Sequence, residues 1–339
     1  MDPQIDKNIQ VLLARRPKGA PTEADFRIIE TPVPTPEPGN VLVQNLYLSL
    51  DPYMRGRMND VKSYIPPIEI DAVMGGGTVG RIVQSDVSNL PEGTVVEGLL
   101  GWQAFATAKP KALRVVDPSL APISTALGVL GMPGLTAYFG LLDLGKPVQG
   151  NTVVVSAASG AVGSLVGQIA KREGCSTVGV VGTDEKARYI VDTLGYDRAI
   201  NYRTADNLRV EIRDAAPDGV DVYFDNVAGP ILDAVLSNIA VHGRVALHTR
   251  KLAAAEGRDA ALGMESTTVS TPGHAAITDQ AASYPCNTAG SMPRPCIATA
   301  VPTSETRLDG MAKDNTYMKQ HECNGWESED LALRGHKHS

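Results

Sequence analysis

The chain has 339 residues, with 31 Lys and Arg against 38 Asp and Glu for a formal net charge of −7. This acidic balance argues against a nucleic-acid partner, while 33 Gly and 43% hydrophobic residues fit a globular α/β protein rather than a fibrous or disordered one. No apolar run of about 18 residues occurs, and the opening MDPQIDKNIQ has no apolar stretch of secretory length. The expected compartment is therefore the cytoplasm, with no membrane partner.

Residues 1–125 contain short apolar runs at Val41–Val43, Leu46–Leu50, Thr78–Val83, Val95–Leu100 and Leu113–Val116, separated by Gly and Pro. This spacing is that of a β-rich domain. The stretch TPVPTPEPG could dock on an aromatic groove, but an extended connection between strands explains it more simply. From about residue 150 the pattern changes to strand and helix in alternation. Thr152–Ser156 reads as a strand, and Val162, Leu165, Val166, Ile169 and Ala170 follow helical spacing up to Gly174. Further strands are expected at 177–181, 199–202, 220–224 and 244–247, with helices at 184–194, 206–215 and 230–239. Such a run of βα units implies a parallel sheet with helices on both faces.

Two glycine-rich segments compete for a phosphate site. Gly75, Gly77 and Gly80 satisfy G-x-G-x-x-G to the letter, but a strand-like segment follows them, so a tight bend in a β-barrel is the better reading. ASGAVG (158–163) has Ala at the first glycine position, yet it lies between a strand and an amphipathic helix. There Gly160 lets the backbone approach a pyrophosphate and Gly163 lets the helix pack closely on the strand, while the helix N-terminus favours an anion. About twenty residues on, Asp184 could bind ribose hydroxyls, or it could serve with Glu185 in a first helical turn capped by Thr183. Lys186 stands where a 2′-phosphate would need a cation, or is a solvated surface lysine.

The segments LYLSLDPYMRGRM (46–58), GGGTVGRIVQS (75–85), GWQ (101–103), LGVLGMPGLTAYFGLLDLG (127–145), AASGAVGSLVGQIAK (157–171), GTDEKARYI (182–190), NYR (201–203) and YFDNVAG (223–229) closely resemble the zinc-free medium-chain dehydrogenase/reductases. The branch is that of prostaglandin and leukotriene reductases, alkenal double-bond reductases and curcumin reductase, and the likeness runs from about residue 10 to 247. It implies a GroES-like β-barrel domain (1–125) and an NADP-binding Rossmann domain (126–248), together reducing a C=C bond conjugated to a carbonyl with NADPH. It also implies that Gly160, Ala161, Val162 and Gly163 contact the pyrophosphate, that Lys186 and Tyr202 contact the 2′-phosphate, that Asn226 borders the nicotinamide half, and that Tyr53 lines the substrate pocket. No residue is assigned as catalytic. An NADPH:quinone reductase and an NADPH-binding product without turnover are the alternatives, and a homodimer is compatible with each.

Hydride addition to an enone builds charge on the carbonyl oxygen, which calls for a hydrogen-bond donor more than for a metal. Residues 1–174 contain neither Cys nor His, and Cys286, Cys296, His321 and Cys323 match no zinc-module spacing, so no metal site is expected. His336 and His338 read as a solvated end. With Cys175, the four cysteines are too scattered for a disulfide framework. Val, Ile, Leu and Phe make up 73 of the first 250 residues but only 9 of the last 89. With so little aliphatic surface to offset chain entropy, residues 249–339 are expected to be disordered or poorly packed. They lack the family's Ser-x-Tyr-Asn segment and sixth Rossmann strand. The scattered Cys, His, Pro and Ser favour a shifted reading frame or a retained intron over a new domain.

Overall fold

A computed structural model describes residues 7–61 and 65–247, and the backbone of 266–270, 276–280 and 299–300. The first half is antiparallel. β1 (Lys7–Leu13) pairs with β2 (Phe26–Pro32), and residues 33–40, the proline-rich stretch, connect β2 to β3 (Val41–Leu48) without helix or strand. After a short helix α1 (Pro52–Arg57) come β4 (Thr78–Ser85), β5 (Val95–Gly98), β6 (Phe105–Ala108) and β7 (Arg114–Val115), in the order β3-β4-β5-β7 with β6 on the other edge of β3. Strand β1 ties this sheet to the loops beside it, since Val11 N–H donates to the Trp102 carbonyl and Met74 N–H to the Val11 carbonyl, both at 2.9 Å. The buried amide of Asn8 clamps the backbone of Phe105 from both sides, at 2.8 and 2.9 Å.

Two details refine the expectations for this half. The run 41–43 and the start of the run 46–50 belong to one strand, which ends at Leu48 and whose register shifts at Leu42/Val43 and again at Asn45/Tyr47 against β4. Bulges of this kind disturb the strict alternation that sequence reading relies on. Gly80 lies opposite Asn45 at the second shift, where a Cβ would come within 2.4 Å of the Gln44 carbonyl oxygen. Gly80 thus serves a close backbone approach, and the motif runs into strand β4 where a phosphate-binding helix would have been required.

The second half starts with α2 (Met132–Phe139) and then alternates: β8 (Thr152–Ser156), α3 (Gly163–Arg172), β9 (Ser176–Val181), α4 (Asp184–Asp192), β10 (Arg198–Asn201), α5 (Leu208–Ala215), β11 (Val220–Asp225), α6 (Pro230–Leu236) and β12 (Ile239–Leu247). The five strands are parallel in the order β10-β9-β8-β11-β12. Successive strand residues face opposite ways, so Val153 and Val155 join Leu165, Val166, Ile190 and Phe224 in one core, while Val154 joins Val178, Ile212, Tyr223, Ile231 and Val235 in the other. Helices cover both faces, which is why β8 reads as a continuous apolar run rather than an alternating one. Helix α6 was expected to reach Ile239, but it ends at Leu236 and Ile239 already pairs with Val220. The residues between that pair and the Val222–Arg244 pair form a bulge, with His242 at φ 66°. Ile239 continues the apolar spacing of α6, and that spacing cannot distinguish a last helical turn from a first strand residue.

Beyond residue 247, β13 (Ser266–Ser270) and β14 (Ala276–Gln280) form an antiparallel pair, and β15 (Thr299–Ala300) pairs with β3. Among the described residues none of the three joins the five-stranded sheet, in which β12 pairs with β11. The expected disorder of 249–339 and the cysteines and histidines of that segment otherwise lie outside the described residues.

Candidate functional site

The strand order reverses direction between β8 and β11, and in open α/β sheets a ligand crevice lies at the carboxyl ends of the strands at that point. Three loops meet there. After β8 the chain turns through Ala157, held at φ +48°, and Gly160 N–H closes the turn on the Ala157 carbonyl at 2.9 Å. Gly160, Ala161 and Val162 form the rest of the turn, and Gly163 opens α3. A Cβ on Gly163 would meet the Ala157 oxygen at 2.4 Å and the Ala158 Cα at 2.8 Å, both backbone atoms, so only glycine lets the helix start this close to the strand. The leading N–H groups of any helix lack acceptors within it. Tyr196 holds the arrangement from below, its hydroxyl donating to the Gly163 carbonyl at 2.7 Å while its ring lies against Gly167. Burial pushes the Tyr196 phenol far above its ordinary pKa, so it stays a neutral donor.

The second loop follows β9. Thr183 caps α4, accepting from Lys186 N–H at 3.2 Å, with Asp184 and Glu185 in the first turn. Asp184 has a partner across the loop, for Asn201 Nδ2 donates to its Oδ1 at 2.7 Å. Gly182 matters for what lies over it: a Cβ would come within 3.2 Å of the Tyr202 ring and 3.4 Å of the Arg203 guanidinium. The Arg203 guanidinium carbon sits 5.8 Å from the Tyr202 ring centroid. Tyr202 and Arg203 thereby gather over Gly182 at the ends of β9 and β10, and Lys186 stands in the first turn of the helix that follows β9.

The third loop follows β11. Asp225 is fully buried, and its Oδ1 accepts from Ser156 Oγ (3.0 Å), Tyr223 hydroxyl (2.9 Å), Val227 N–H (2.9 Å) and Ala228 N–H (2.8 Å), while Oδ2 has no partner. Ser156 in turn accepts from Asn226 N–H at 2.7 Å, and Asn226 Nδ2 donates to the Ser156 carbonyl at 2.9 Å. Beside Asp225, burial followed by the charge of the carboxylate raises the Tyr223 phenol well above its ordinary pKa. Asn226 is therefore pinned to the end of β8, across the crevice.

Tyr53 belongs to the other domain, half-buried on α1, whose N-cap Asp51 accepts from Ser49 Oγ at 2.9 Å. Burial raises the Asp51 carboxyl above its usual range. Among the described residues no group of three or more His, Cys, Asp or Glu could hold a metal ion. Three contributors escaped the sequence reading: Tyr196, Asp225 and Asn201. Only Asp225 left a signal, as a charged residue ending the apolar run VDVYFD.

Family models match both halves of the chain. Residues 9–116 match an N-terminal domain of oxidoreductase, and residues 161–263 match a domain described as zinc-binding dehydrogenase, which extends past the limit of the resemblance read from the sequence. A putative NADP-dependent oxidoreductase, YfmJ of Bacillus subtilis, is 55% identical over 236 residues, covering 70% of this chain and 69% of its own. The NADPH-dependent curcumin reductase of Escherichia coli is 46% identical over 245 residues, 72% of this chain and 71% of its own. Among solved structures, CurA of Vibrio vulnificus in complex with NADPH superposes with a TM-score of 0.67 at 44% identity, covering 70% of this chain and 71% of that one. With both domains matched and identities this high over two thirds of each relative, the chain belongs to the NADP-dependent medium-chain dehydrogenase/reductase family, in the branch of the curcumin, alkenal and prostaglandin reductases.

Proposed function

We propose that the protein reduces a C=C bond conjugated to a carbonyl, in an alkenal or enone, with NADPH and without zinc. The observation that carries this reading is the cradle at the ends of β8, β9 and β10. Gly163 admits α3 against the strand, and Gly182 lets Tyr202 and Arg203 fold over the loop leading into α4, whose first turn carries Lys186. This fits a dinucleotide with an extra phosphate: an anion site at a helix N-terminus, and a second one lined by two cations and a phenol. When bound, NADPH supplies the hydride.

The chain's own residues hold and orient. In the turn Gly160–Gly163, Gly160 lets the backbone approach the pyrophosphate and Ala161, Val162 and Gly163 present their N–H groups to it, Lys186 and Tyr202 take the 2′-phosphate, and Asn226, fixed on Ser156, borders the nicotinamide half. Tyr53 lines the substrate pocket from the barrel. Because hydride delivered to the β carbon leaves negative charge on the carbonyl oxygen, the pocket need only offer a donor and exclude water. The acidic net charge supports a small-molecule substrate rather than a nucleic acid. No described helix is long and apolar enough to cross a membrane, and action in the cytoplasm completes the proposal.

Titration of the full chain with NADPH and NADH, followed by cofactor fluorescence, tests the cofactor reading. Lys186→Ala should weaken NADPH about tenfold or more and leave NADH nearly unchanged, since one charge-assisted hydrogen bond contributes roughly 1.5–3 kcal/mol. Equal affinity of the unmutated chain for the two cofactors would sink this assignment. Reduction of a simple enone should proceed at the same rate with a chelator present, and a chelator-abolished rate would remove zinc independence. Tight NADPH binding with no turnover of any enal, enone or quinone would retain the fold and reject the reductase.

A further inference from the structure

We propose that Asn201 is a specificity-determining residue, which favours NADPH over NADH by restraining Asp184. The inference rests on the NADPH reading above. An acid about twenty residues past the glycine turn is what NAD-binding Rossmann domains use to bind the ribose hydroxyls, and the same charge repels a 2′-phosphate. Asp184 occupies that place in the sequence, at the head of α4 and two residues before Lys186. The chain thus carries both the acid that would select NADH and the cations that would select NADPH.

The sheet order resolves the conflict. Strand β9 lies between β8, which leads into the glycine turn, and β10, which ends at Asn201. Asn201 Nδ2 donates to Asp184 Oδ1 at 2.7 Å, so the carboxylate is drawn towards β10 and away from the β8 side, where a dinucleotide would lie. The other end of the same amide works in the same direction. Its Oδ1 accepts from Arg203 N–H at 3.1 Å, forming the turn that brings Arg203 back over Tyr202 and Gly182. One neutral side chain therefore occupies the acid and holds the basic loop. Asn201 acts through its neighbours and is a positioning residue.

The test uses Asn201→Ser on the full chain. A serine hydroxyl can accept from the N–H two residues on and so preserve the turn to Arg203, but it is too short to reach Asp184. With the carboxylate released, affinity for NADPH should fall about five- to tenfold, the size expected of a like-charge approach partly screened by solvent. Affinity for NADH should hold or rise up to about threefold. Asp184→Ala alone should leave NADPH within about twofold of the parent, because the tether already withdraws that charge. Combined, Asn201→Ser with Asp184→Ala should restore NADPH to within about twofold of the parent, and a merely structural role for Asn201 would give no such rescue. An unchanged Asn201→Ser variant, or a double variant as weak as Asn201→Ser alone, overturns the proposal. A parent chain without preference for NADPH fails earlier, at the cofactor reading, and takes this inference with it.

Discussion

Asp225→Ala is expected to cost about 3–5 kcal/mol of stability and to lower the melting temperature of the Rossmann half by roughly 6–20 °C. The loss is large because four donors converge on one oxygen of a fully buried carboxylate. Truncation leaves Ser156, Tyr223 and the N–H groups of Val227 and Ala228 without their acceptor, and each stranded donor costs far more than a made hydrogen bond contributes. It also releases Ala228, held at φ +61°, a backbone state that needs support in a residue with a Cβ. Asp225→Asn is the control. It keeps the acceptor for the four donors but sets an amide with unpaired N–H groups where the unpartnered Oδ2 stood, so it should cost about 1–3 kcal/mol and less than Asp225→Ala. Calorimetric melting of both variants decides the matter, and equal destabilisation by the two would show that the acceptor network is not the cause.

Gly163→Val is expected to weaken NADPH binding at least about a hundredfold, or about 2.7 kcal/mol. The added Cβ meets the Ala157 oxygen and the Ala158 Cα at 2.4 and 2.8 Å, and neither backbone atom can swing aside as a side-chain tip would. Helix α3 must then back away from the end of β8, straining the Tyr196 bond to the Gly163 carbonyl and moving the N–H groups proposed to face the pyrophosphate. Overpacking of this kind costs about 1–3 kcal/mol in the fold alone. Gly160→Ala provides the comparison, since its Cβ would find nothing nearer than 3.2 Å, and it should lose only about severalfold. Fluorescence titration of the two variants measures the contrast, and a Gly163→Val chain that binds NADPH like the parent would show that the turn after β8 is not the anion site.

Local pattern made much of this architecture legible. The strand 152–156 was readable to the residue, because five residues bounded by Asn151 and a glycine-rich turn admit few alternatives. That a strand goes with GGGTVG and a helix follows ASGAVG was also legible. Most of the other helix and strand ends fell a residue or more from the expected ones, the larger shifts arising where apolar spacing runs on through a boundary, as at Ile239, or where a bulge breaks it, as in β3. The polar contacts were beyond reach for a different reason. Ser156 and Asp225 meet across 69 residues of chain, Tyr196 reaches Gly163 across 33, and Asn201 reaches Asp184 across 17. Such pairs exist only once strand order is fixed, so Asn201, within a quoted motif, was visible as a letter but not as a tether.

The seam between β8 and β11 also dictates an order of events in time. The stretch from β8 to β10 pairs near neighbours in sequence, whereas β11 must return past both β9 and β10 to lie against β8. Closing that loop costs more chain entropy than any pairing before it, and contacts of long sequence separation form late. The wall carrying Asn226 thus reaches its place after the glycine turn it faces. A molecule gripping both sides of that seam would hold the domain shut by mass action.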